Sequence, residues 1–159
     1  MHRVRLFLEA NNPDIAFKSF LENVQQGLVK MRARNITVTK NSVSFTAGMF
    51  RFVTNMNPLV SITSGEITVD PQNGVITYSL SFLELLVGVP ILVGVLGILC
   101  ISQNFPREFF QVGLPFIGLS LLVLNYLLGV SQFKAFIRRC MKAAGMSVVK
   151  RPKPPATWT

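Results

Sequence analysis

The period of the hydrophobic positions changes several times along this chain, and each change predicts an element. Val4, Leu6 and Leu8 alternate with Arg3, Arg5 and Glu9, the pattern of a half-buried strand. Asn12-Pro13-Asp14 then supplies a helix start, with a capping side chain, a proline at the first helical position and an acid at the positive dipole end. Phe17, Phe20, Leu21, Val24, Leu28 and Met31 follow at helical spacing, with Lys18, Glu22 and Gln25 opposite, which predicts one amphipathic helix from Pro13 to about Lys30. From Asn35 the period falls to two. Ile36 and Val38, a turn at Lys40-Asn41-Ser42, then Val43 and Phe45 read as a hairpin. Met49–Val53 and Leu59–Thr63 are further candidate strands. Glu66–Asp70 and Val75–Ser81 form a second hairpin around Asn73-Gly74, a pair that tolerates positive φ. One helix on a small antiparallel sheet is the economical packing, so residues 1–81 are expected to be an α+β domain.

Beyond Ser81 the pattern becomes continuously apolar. Phe82–Ser102 carries a single charge, Glu84, and Val112–Val130 carries none. A hydrocarbon core of about 30 Å needs about 20 helical residues, so both runs are long enough to cross it. The short connector Gln103–Gln111, with Phe105, Phe109 and Phe110 around Pro106, makes residues 82–130 an antiparallel transmembrane hairpin with aromatics at the far interface. The last strand runs into the first span without a spacer, so the sheet is expected to sit against the membrane surface. After the second span, Phe133, Phe136, Ile137, Cys140, Met141 and Ala144 form a stripe opposite Lys134, Arg138, Arg139 and Lys142. That pattern predicts a separate basic amphipathic helix within residues 131–159, either lying on anionic headgroups or packed under the α+β domain. Arg151-Pro-Lys-Pro-Pro is expected to be extended.

Charge orients the hairpin. The chain carries 16 basic and 7 acidic residues, and the segment after Val130 holds Lys134, Arg138, Arg139, Lys142, Lys150, Arg151 and Lys153 with no acid. By the positive-inside rule both termini are expected in the cytoplasm. The alternating N-terminus is not a signal peptide, so the first apolar run is expected to act as an internal signal anchor. No aromatic-interleaved basic surface accompanies the charge, which argues against nucleic acid and for anionic lipid as the partner. Cys100 and Cys140 fall on opposite sides of the bilayer on this topology, so no intrachain disulfide is expected, and Cys140 reads as a packed cysteine.

Candidate chemistry is sparse. His2 is the only histidine, and no phosphate loop, dinucleotide fingerprint or metal-ligand spacing occurs. Catalytic residues, cofactors and metals are therefore expected to be absent. Glu84, ionisable within a span, is expected in the first helical turn, pairing with Lys134. Asn125 reads as glue between helices. Gly88, Gly94 and Gly97 in the first span, with Gly118 and Ser120 in the second, permit close backbone approach. Gly88 and Gly97 lie about 180° apart at about 100° per residue, so one side can face the second span and the other a neighbour. The chain thus reads as a non-enzymatic membrane-anchored module that binds a protein partner, or assembles with itself or a larger membrane complex. The competing reading is a ligand-responsive effector whose hairpins oligomerise and perturb the bilayer.

Overall fold

The computed structural model describes residues 1–9, 13–47, 59, 61–103, 106 and 109–149. The α+β domain and the two apolar helices are both present. In chain order the elements are β1 (His2–Glu9), α1 (Pro13–Lys30), β2 (Arg34–Val38), β3 (Ser42–Thr46), β4 (Ser64–Asp70), β5 (Val75–Ser81), α2 (Leu83–Ser102), a π-helical turn (Phe109–Gly113), α3 (Leu114–Ala143) and β6 (Ser147–Val149). The strands form one antiparallel sheet in the order β2-β3-β4-β5-β1-β6. Both predicted hairpins are there. At the second, Asp70 accepts from the Asn73 amide at 3.2 Å and Gly74 takes φ +60°, the left-handed step that glycine adopts without Cβ cost.

The candidate strand Met49–Val53 lies outside the described residues. The candidate strand Leu59–Thr63 is not a strand where it is described: Leu59 and Ser61 lie in turns, Thr63 is at a bend, and the Ile62 amide donates to Leu59 O. The alternation there reflects Leu59 and Ile62, both 1% exposed, plugging the core from a turn.

Among the described residues no separate C-terminal helix forms. The amphipathic stripe is the end of α3, which runs unbroken for 30 residues, about 45 Å at about 1.5 Å per residue. A hydrocarbon core of about 30 Å cannot contain that length. The half-buried and buried positions Leu114, Gly118, Leu122, Tyr126, Gly129, Phe133, Ile137, Cys140 and Ala144 follow one i, i+3, i+4 line along the helix. Its first half faces α2; its second half enters the α+β domain. Phe133 is fully buried, its ring centroid 5.9 Å from that of Phe45 and 5.6 Å from that of Tyr78, and Ile137, Cys140 and Met141 join the same core. Phe136 packs where a side chain on Gly27 of α1 would otherwise stand. Two helices, not one, therefore cover the sheet.

Gly145 ends α3. Its φ is +72°, and the Met146 amide turns back to Met141 O at 3.0 Å, a left-handed stop that a glycine after the helix allows. The turn returns Met146 to the core and places Ser147–Val149 against β1. Residues 131–149 thus belong to the α+β domain rather than to a separate unit.

The apolar halves of α2 and α3 are almost uncovered. In each, 11% of the most apolar window is buried, and Leu86, Ile91, Ile98, Phe116, Leu119 and Leu127 are among the exposed side chains. The core helix of a soluble domain would be mostly buried and a signal sequence would lie near the N-terminus. Neither describes these helices, and lipid is the solvent that such surfaces require.

Candidate functional site

The distinctive geometry of the molecule lies where the sheet meets the spans. Phe82 is the only residue between β5 and α2. It is 7% exposed, and its ring stands edge-on to Tyr126 of α3 at 4.9 Å. A Cβ on Gly129 would lie 3.2 Å from Phe82 and 3.1 Å from Ser61, so α3 is in close contact at this level. Thr63 fixes the start of α2 from outside the helix. Its Oγ1 accepts from the Glu84 amide at 2.9 Å, its own amide donates to Ser81 O, and its carbonyl accepts from Ala47. One residue thereby caps the first turn of the span and joins the ends of two strands.

Tyr126 completes the junction. Its hydroxyl is 3.0 Å from Nδ1 of His2, and the two rings meet edge-on at 6.0 Å. His2 stands opposite Leu80 at the end of β1, so the first strand is tied to α3 across the mouth of the helix pair. Nothing in the alternation around His2 identifies this contact. The signal for Tyr126 was available: it sits on the buried line of α3, one turn before the apolar run ends at Val130.

The predicted helix-packing residues divide. A Cβ on Gly118 would meet Val93 at 2.9 Å, and one on Gly97 would meet Leu114 at 3.0 Å, so these two form the α2–α3 seam. Gly94 has nothing within 4 Å, Ser120 is exposed, and Gly88 is half-buried about 180° from Gly97 on the helix. Asn125 donates to Leu121 O of its own helix at 2.8 Å. Its amide satisfies itself locally rather than bridging the pair.

Glu84 occupies the first turn of α2, but the structure records no ion pair between it and Lys134. The packing of Phe82 on Tyr126 and Gly129 sets the register. Lys134 lies five residues beyond Gly129, about 7.5 Å further along α3 at about 1.5 Å per residue, and its side chain is exposed. The same continuity bears on the headgroup contacts. Lys134, Arg138, Arg139 and Lys142 are all exposed, on the part of α3 whose other face packs into the α+β domain. Along the helix Lys134 is about 6 Å beyond Val130 and Lys142 about 18 Å.

Both cysteines are free. Cys140 is 6% exposed, and burial raises its thiol to about 11 against the neighbouring Arg139 charge. Among the described residues, no group of three His, Cys, Asp or Glu side chains could hold a metal ion.

Two concavities flank the junction. One, about 320 Å³, lies on the sheet face away from the helices, lined by the hydroxyls of Ser44, Thr46, Ser64, Ser79 and Ser81 with Glu66. The other, about 450 Å³, lies between the start of β1, the first turns of α2 and the Leu122–Tyr126 turn of α3. No protein-family model, curated protein or solved structure matches this chain. What the residues establish is a membrane-associated protein whose two apolar helices carry a soluble α+β domain.

Proposed function

We propose that this chain is a non-enzymatic membrane-anchored docking module, its α+β domain held on the cytoplasmic side to bind a protein partner or further copies of itself. The observation that carries it is the double attachment of the domain. α2 leaves β5 through one residue, and α3 enters the core without a break. Such a domain keeps one height and one orientation relative to the bilayer, which suits presentation of a surface. Lys134, Arg138 and Lys142 share one exposed face of α3 with Arg139 beside it, and this face, mostly beyond the headgroups, complements an acidic partner. Gly94 and Ser120 leave an open path for a neighbouring helix. Sidedness rests on the basic residues after Val130.

Mild-detergent extraction followed by mass measurement tests this reading. The expected result is a particle containing more than one polypeptide. A single chain at every concentration, with no second protein, would overturn it. Cysteine labelling in intact cells tests sidedness: Gln103→Cys is expected to label from outside and Ser147→Cys to be protected.

The alternative, a ligand-responsive effector, is favoured by one observation, the hydroxyl-lined hollow on the outer sheet face. A soluble ligand there would act on strands joined directly to α2. Saturable binding of a small polar ligand that changes association of the hairpins would favour it over docking.

A further inference from the structure

The boundary hollow combines two chemistries. Its walls include Leu83 and Leu86 of α2, 61% and 55% exposed, and Leu122 of α3. Its polar end is formed by His2, Tyr126 and Ser81. At about 450 Å³ it is within the range of small-molecule sites, about 300–1,000 Å³. The leucines continue into the lipid-facing surface of the spans, so the hollow opens towards the bilayer.

The histidine has one ring nitrogen left to offer a ligand. Nδ1 of His2 is taken by the Tyr126 hydroxyl. When the phenol donates, a neutral imidazole carries its proton on Nε2, and that N–H is the remaining donor of the ring. No hydrogen bond to it is present among the described residues. Tyr126 lies about 6 Å inside Val130 on α3, and its hydroxyl meets the first strand of the α+β domain, so the polar end of the hollow is on the domain side of the apolar run, where tyrosine is enriched in membrane proteins.

We propose that this hollow holds one phospholipid of the leaflet facing the α+β domain, its acyl chain along Leu83, Leu86 and Leu122 and its phosphate accepting from the His2 imidazole. A free phosphate would leave the leucine wall bare, and a hydrocarbon chain alone would make no use of the imidazole. A phospholipid meets both, and the membrane supplies it. The bound lipid would brace β1 against α3 at the Tyr126 contact. The proposal is independent of whether the domain docks a second protein or another copy.

Native mass spectrometry on the full chain, released from mild detergent, reads this directly. The parent is expected to retain one phosphatidylglycerol and to exchange it with added phosphatidylglycerol but not with diacylglycerol of the same chains or with inorganic phosphate. His2→Phe removes the donor, and Leu122→Trp fills the hollow. Each is expected to weaken retention about tenfold or more, the effect of losing a hydrogen bond to a charged group or the apolar contact. Equal retention of diacylglycerol, or displacement by inorganic phosphate alone, would overturn the proposal. So would parent-like retention in both variants. If His2→Phe fails to fold, the lipid competition on the parent and the Leu122→Trp variant decide.

Discussion

The hydroxyl of Tyr126 and Nδ1 of His2 stand 3.0 Å apart, joining α3 at the membrane boundary to the first strand of the sheet. Removing only the hydroxyl isolates this tie. Tyr126→Phe keeps the ring on Phe82 and is expected to cost about 1 kcal/mol, the net value of a typical hydrogen bond. Hydrogen exchange should locate the loss. Amides of β1 are expected to exchange faster while those of β3 and β4 are unchanged; uniform acceleration would show that the contact has no local role.

The end of α3 is structurally part of the N-terminal domain. A fragment spanning residues 1–81 would expose the bed of Phe133, Ile137, Cys140 and Met141 and leave the β6 side of β1 unpaired. It is expected not to unfold cooperatively in denaturant. In the full chain, Phe133→Ala is expected to destabilise the domain by about 3–5 kcal/mol, as for other buried aromatics. A folded fragment would mean that the sheet and α1 form a sufficient core.

The regular elements were legible in the sequence and the joints between them were not. α1 has its predicted bounds because a proline start and a clean 3.6-residue stripe act locally, and both hairpins have local turn chemistry. β6 has no such signal. Ser147–Val149 is a strand only because β1 offers an edge and Gly145 turns the chain towards it. The break expected after Val130 confused a change of solvent with a change of structure. Lipid-facing positions turn polar there, but no glycine or proline occurs between Val130 and Gly145, and the line through Gly129, Phe133 and Ile137 continues in phase. The His2–Tyr126 contact joins residues 124 positions apart, beyond the reach of any periodicity.

Cys140 offers a probe of the core. Its thiol, raised by burial from an ordinary value near 9 to about 11, is expected to resist thiol reagents at pH 8 in the native chain and to react once denatured. The raised value also fixes a sign. Below about pH 9 both folded and unfolded states hold the proton. Between about 9 and 11 only the folded state does, so this group's contribution to stability is lost as pH rises through that window. Rapid native labelling at pH 8 would contradict the packing of α3.

The glycines of the hairpin are expected to behave differently. Gly118→Leu drives a side chain into Val93, whose branched Cβ leaves it little room, and is expected to cost about 1–3 kcal/mol in hairpin stability. Gly94→Leu meets nothing within 4 Å and is expected to leave the hairpin folded while reducing association. Thermal unfolding and particle mass, measured on both variants, separate the two effects. Parent-like association in Gly94→Leu would remove this face from any assembly.

Rigid attachment of the α+β domain to the spans is the central claim, and a distance across the Val130 boundary tests it most directly. Spin labels at Glu22, exposed on α1, and at Leu119, exposed on the apolar half of α3, report that distance in a background with both native cysteines replaced by alanine. A single narrow distribution, the same in detergent and in bilayers, is predicted because α3 is continuous between the core and the membrane. A broad distribution, or one that shifts when lipid replaces detergent, would contradict it.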